Sequence, residues 1–257
     1  MQAMASFFQP RLKKHALFYA VSIGATAALS LLGVASGRPL LLAALNLIAP
    51  LAILFHFLRK EEARRAAGVL LVWAYALGFF MVLWVCLFPE RAESAVFHGA
   101  AYKEEMFHWI ETGEGAEGDP ARFIPQHLLH VGAFLALSVL SCSVLGLLMG
   151  VLLVDYMAFY AGSVILAAEH KGLAALLAWH PWSLFRMAAF VLLGVVVASL
   201  VYEKLCGRAL PSGTGGPWKA HRGRILWAAA LLALDVALKA ALAPLWREWL
   251  LRGAGVH

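Results

Sequence analysis

Six of the chain's ten histidines, His98, His108, His127, His130, His170 and His180, fall in or beside segments that hydropathy places toward one face of a membrane. The carboxylate pair Glu104 and Glu105 lies among them. An imidazole or carboxylate near hydrocarbon costs free energy unless it is paired, ligated or wet, so their gathering points to chemistry at that face. At about 100° per residue, Glu104, His108 and Glu111 project from one side of a helix, with Glu105 about 60° from His108. His127 and His130, three residues apart, share a face where an apolar stretch begins. Two chemistries suit such a set. Glu104, His108, His127 and His130 could hold a divalent metal such as zinc, with one position left open for water. Without metal, a glutamate in a partly dry site could act as general base on water while neighbouring histidines donate hydrogen bonds to a developing oxyanion. Residue types alone leave both open. Each group also has a plainer reading: the glutamates as the solvated face of an amphipathic helix, His98 and His180 as interfacial residues, and Glu169 to Lys171 as a wet helix break.

The elements that must position these residues are membrane spans. The 257 residues are 62% hydrophobic and 14% charged, with a mean hydropathy of +0.77, far too apolar for a soluble domain of this length. Apolar runs of about 20 residues, enough to cross a bilayer core, recur from end to end. Seven spans are expected, over 15–35, 39–58, 66–88, 127–154, 156–178, 183–204 and 224–246. The fold class is therefore an all-α polytopic transmembrane bundle, a single integral membrane domain over 1–257. An extracytoplasmic loop over 89–126 would carry the amphipathic helix, and a cytoplasmic loop is expected over 205–223.

Charge sets the expected orientation. Basic residues cluster before the first span, between the second and third (Arg59, Lys60, Arg64, Arg65) and between the sixth and seventh, which puts the N-terminus in the cytoplasm. The net charge of +6 thus reads as topology rather than as a nucleic-acid surface. Arg11, Lys13 and Lys14 ahead of an apolar run resemble a signal peptide, but no small-residue cleavage site follows, and the segment is kept as a span. The 89–126 loop holds eight acidic against three basic residues. Its stretch from Ala100 to Thr112 is helix-compatible, Gly113 to Pro120 should turn the chain, and Pro125 sits where the next helix can begin.

The remaining polar residues have local explanations. Asp235 and Lys239, four apart, read as a neutralising pair within the seventh span. Arg186 either snorkels or binds a carboxylate from a substrate or from Glu104 or Glu105. Asp155 should meet cytoplasmic water. Ser138, Ser141 and Ser143 read as close-packing residues, and Cys86, Cys142 and Cys206, widely spaced, as small core residues. The run PSGTGGP from Pro211 to Pro217 reads as a mobile connector.

The order of these polar elements resembles the CAAX protease and bacteriocin-processing family of intramembrane proteases over roughly residues 100 to 175. That family carries a glutamate pair, a Phe-x-x-x-His element and a later histidine on another span. Here these are Glu104 and Glu105, Phe123 to His127, and His170. The small-residue stretches Leu147 to Gly150 and Ala161 to Ser163 lie between the two histidines. The family's arginine, four residues after the second glutamate, is Trp109 here, and its final Asn/Asp is Ala174. The resemblance implies that Glu104 or Glu105 activates water and that His127 and His170 support the tetrahedral intermediate. His130 can substitute for His127, and His108, which has no counterpart in the pattern, favours a metal-dependent variant.

The expectation is a multi-pass membrane hydrolase, a peptidase acting on a membrane-anchored protein or peptide near the extracytoplasmic leaflet of a bacterial plasma membrane. Its partners would be lipid and that substrate, with no nucleic acid. A metal- or haem-binding redox protein is the first alternative. A transporter or assembly partner using Asp235, Lys239 and Arg186 is the second, although no broken-helix repeat supports transport.

Overall fold

Each long apolar stretch folds as a helix, because in hydrocarbon a chain must satisfy its backbone polar groups internally. The computed structural model describes the backbone of residues 2–206 and 217–256 and the side chains of residues 18–206 and 221–256. The order is α1 (Gln2–Ser36), α2 (Pro39–Leu58), α3 (Ala63–Leu87), α4 (Pro89–Ala95), α5 (Gly99–Thr112), α6 (Pro120–Ser141), α7 (Val144–Ala167), α8 (Lys171–Leu177), α9 (Pro181–Leu205) and α10 (Pro217–Glu248). A π-helical turn, Trp249–Gly253, continues α10. Among the described residues there is no strand, and seven helices are long and apolar enough to cross a membrane: α1 from Phe18, α2, α3, α6, α7, α9, and α10 from His221 through the π-helical turn. The protein is an all-α polytopic bundle. The connector Pro211 to Pro217 falls almost wholly outside the described residues.

Small residues let the spans approach closely. In α1, Ser22, Thr26 and Ser30 each donate back to the carbonyl four residues earlier, at 2.7 to 2.8 Å, and Ser30 Oγ also accepts from Trp84 Nε1 at 2.9 Å. A methyl group placed on Gly162 of α7 would lie 2.5 Å from Val85 of α3, so only glycine permits that approach.

The fourth and fifth spans differ from expectation in where they break. The chain turns at Cys142 and Ser143, both left-handed at φ 51° and 66°, and not at Asp155. The turn is held by Ser143 N donating to Ser138 O at 2.7 Å and by Ser143 Oγ donating to Gly194 O at 2.8 Å. Serine and cysteine are nearly invisible to hydropathy, whereas an aspartate reads as an end. Asp155 instead lies buried inside α7, accepting from Asn46 Nδ2 of α2 at 2.9 and 3.2 Å, and so does not meet bulk water. With the break moved, α7 ends at Ala167, and Glu169, His170 and Lys171 lie beyond the span. The seven crossings are kept, but 156–178 is not one of them. Likewise α6 begins at Pro120, capped by Asp119, so Pro125 is inside the helix and not at its start. Cys206 is exposed rather than core.

Short connections make successive spans antiparallel. This collects α4, α5, α8 and the π-helical turn at one end of the bundle, called here the loop face, opposite the end bearing Arg59 and Lys60. The C-terminal segment ties that face together: Glu169 N donates to Gly255 O at 3.2 Å and His170 N to Ala254 O at 3.0 Å. The amphipathic α5, nearly coincident with the expected stretch, buries Met106, Trp109 and Ile110.

Candidate functional site

A buried charged cluster lies beneath the loop face, assembled from α6, α9, α10 and the loop between α5 and α6. On α6, the residues Phe123, His127, Phe134 and Ser138 form the buried stripe, with spacings of four and seven, while Leu128, Leu129 and Leu140 face outward. The stripe carries His127 inward. Its Nδ1 lies 2.9 Å from the Phe123 carbonyl, where only a donor role is open, and its Nε2 lies 3.3 Å from Asp235 Oδ2. The Asp235 contact becomes an ion pair when the ring carries both protons.

Asp235 and Lys239 are not paired with each other as expected. Asp235, fully buried, accepts two hydrogen bonds from Arg186 of α9, from Nε at 2.9 Å and from Nη2 at 3.0 Å. That side-on fork is a geometry that a lysine cannot supply. Lys239 turns the other way and donates to Glu117 Oε2 at 2.7 Å, with its ammonium 4.6 Å from the centre of the Phe123 ring. The intrahelical pair yields because each residue meets a better-placed partner across a helix interface.

Glu117 comes from the Gly113 to Asp119 turn. Gly113, at φ 81°, ends α5, and a methyl on Gly118 would come within 2.9 Å of Trp109 Nε1. The glycines thus let the turn fold tightly against α5 and carry Glu117 inward, leaving its side chain only 12% exposed. Its Oε1 accepts from Trp182 Nε1 at 3.0 Å, and His180 Nδ1 stands 3.6 Å away, longer than a hydrogen bond. His180 Nε2 in turn is 3.2 Å from the Tyr160 hydroxyl. Burial alone would raise the Glu117 carboxyl, but the Lys239 ammonium and His180 overcome it and hold the group well below the usual carboxylate range. Glu117 is therefore ionised, and the four charges of Arg186, Lys239, Asp235 and Glu117 cancel.

Beside the cluster a cavity of roughly 80 Å³, open at its mouth, runs from Glu117 toward the middle of the bundle. Its lining changes with depth: Tyr102, Glu117, His130, Tyr156, Ser183 and Arg186 lie toward the loop face, and Phe134, Leu147, Leu153, Phe190 and Val191 lie further along α6, α7 and α9. Burial, with a smaller push from Glu117, raises the Tyr102 hydroxyl well above its ordinary value, so it remains a neutral donor.

The expected site residues are only partly brought together. His127 joins the buried cluster, and His130, three residues on, reaches the cavity wall. Glu104, Glu105, His108 and Glu111 lie on the exposed side of α5, because its apolar side packs inward, and His170 is exposed at the start of α8. Glu104 and His108 therefore do not converge with His127 and His130 into the expected metal set. Among the described residues, no three of His, Cys, Asp or Glu stand close enough to hold a metal ion. Arg186 binds Asp235 rather than Glu104 or Glu105. His180, expected as an interfacial residue, is buried in the cluster, whereas His98 is exposed.

Glu117 was the residue missed, hidden in a stretch that reads as a turn. No sequence signal singles it out: the positive charge that Arg186 and Lys239 leave over Asp235 is balanced in number by Asp155 inside α7, and only the packing assigns Glu117 to Lys239. Compared with family models, curated proteins and solved structures, the chain matches none.

Proposed function

We propose that this protein binds a membrane amphiphile, drawing the molecule's polar head to the charged cluster beneath the loop face and its chain into the apolar half of the cavity. The change of lining along the cavity carries this reading. Ionisable groups inside a membrane bundle mark functional sites by default, and ligand sites are concave, mostly apolar and fitted with a few convergent polar groups. By the charge rule the loop face is extracytoplasmic, so the amphiphile comes from the outer leaflet.

The test uses Gly150, which lines the cavity and has open space where a side chain would project. A leucine there should fill the apolar end while favouring the helix by roughly 0.5 to 1 kcal/mol. Gly150→Leu is expected to keep the melting temperature of the unaltered protein and to lose lipid that co-purifies and is detected by native mass spectrometry. Unchanged lipid occupancy counts against the reading.

A hydrolytic role is the second reading, and it rests on His130. Its ring lies on the cavity wall near Arg186 and makes no hydrogen bond to a described residue. An imidazole so placed can take a proton from water while the guanidinium stabilises an oxyanion. A lipid-anchored peptide released by the protein but not by His130→Ala would support it. Equal release by both removes His130 from the chemistry.

A further inference from the structure

The polar lining of the cavity is rich in donors, and from it we infer the class of head group: an oxyanion, carboxylate or phosphate, borne on an apolar chain. This inference rests on the amphiphile reading above and narrows it. Each carboxylate oxygen of the cluster already accepts a hydrogen bond. Both Asp235 oxygens take hydrogen bonds from Arg186, and the Glu117 oxygens take them from Trp182 and Lys239. The donors are not all engaged. Arg186 uses Nε and Nη2 on Asp235, which leaves Nη1 and the second hydrogen of Nη2 for the cavity it lines. The hydroxyls of Tyr102, Tyr156 and Ser183 and the ring of His130 also line the cavity, and none makes a hydrogen bond to another described residue.

An oxyanion accepts from several of these donors at once, and its hydrogen bonds to Arg186 are charge-assisted. A cationic head would meet carboxylates already paired with Arg186 and Lys239, beside the positive guanidinium, and a neutral hydroxyl head would accept from fewer donors. The negative charge of Glu117 does not bar an anion, because Lys239 lies 2.7 Å from it and cancels it.

The experiment measures equilibrium binding of radiolabelled oleate to the full chain in neutral-detergent micelles, with unlabelled competitors. Hexadecyl phosphate should displace oleate, monoolein and oleylamine should need about tenfold more, and inorganic phosphate should not compete. Tyr156→Phe and His130→Gln, which leave the ion pairs intact, should each weaken oleate by about tenfold and leave monoolein unchanged. Monoolein or oleylamine competing as well as the anions overturns the head-group class alone. Unchanged oleate affinity in both variants moves the head away from these donors and overturns it too. Inorganic phosphate competing as well as hexadecyl phosphate, or no saturable oleate binding at all, overturns both this inference and the amphiphile reading.

Discussion

Glu117 holds the loop between α5 and α6 to the interior through Lys239 and Trp182, and both contacts end if the carboxylate is lost. Removing one partner of a buried ion pair strands the other charge, at a cost of about 3 to 5 kcal/mol. Glu117→Gln should therefore lower the melting temperature in detergent sharply, whereas Glu104→Gln on the exposed face of α5 should change it little. The pH dependence has a definite sign. A carboxyl held below its unfolded value of about 4.3 contributes fully above that value and loses its contribution as pH falls through it toward the folded value. Thermal stability should thus stay level from neutrality to about pH 5 and drop in stronger acid. The difference between the protein and Glu117→Gln should shrink over that acid range. A difference that persists undiminished to pH 2 would contradict an ionised Glu117 as the source of the stabilisation.

At the scale of the helix, Arg247 caps α5 from α10, donating to Trp109 O at 3.1 Å and to Glu111 O at 2.7 Å. A helix leaves its last carbonyls unpaired, and a cation there also meets the negative end of the helix dipole. Arg247→Gln should loosen the end of α5 and the turn that follows, which amide hydrogen exchange would read as faster exchange over residues 110–119 with α7 unaffected. Hydropathy and punctuation placed α2 at its observed bounds of 39–58 and α5 within a residue, because Pro39 and Gly113 mark real ends. They failed at Cys142 and Ser143, where the break is a backbone conformation held by Gly194 on another helix. They failed again at Asp155, whose burial depends on Asn46, far away in sequence. The buried cluster was legible in its charges, Arg186, Asp235 and Lys239, but not in its pairing. Which partner each residue takes is decided by the packing of α9 against α10 and by a glycine-rich turn whose contacts have no periodicity.

For the whole molecule, the proposed source of the ligand depends on which way the bundle sits. On the positive-inside rule Arg59, Lys60, Lys204 and Arg224 would face the cytoplasm and the loop face the outside. The described cysteines allow this to be measured with little disturbance. Cys206 is exposed just beyond α9, toward the basic end, while Cys86 and Cys142 are half-buried and their thiols lie against the carbonyls of Gly162 and Ala198. In a Cys86→Ala, Cys142→Ala background, Cys206 should resist a membrane-impermeant maleimide in intact cells and react once the membrane is opened. A further Cys206→Ala change combined with Glu104→Cys should reverse the pattern, because Glu104 is exposed on the loop face. The opposite labelling in both variants would turn the cavity's polar end toward the cytoplasm. The bound amphiphile would then come from the inner leaflet, although the donors that select its head would be the same.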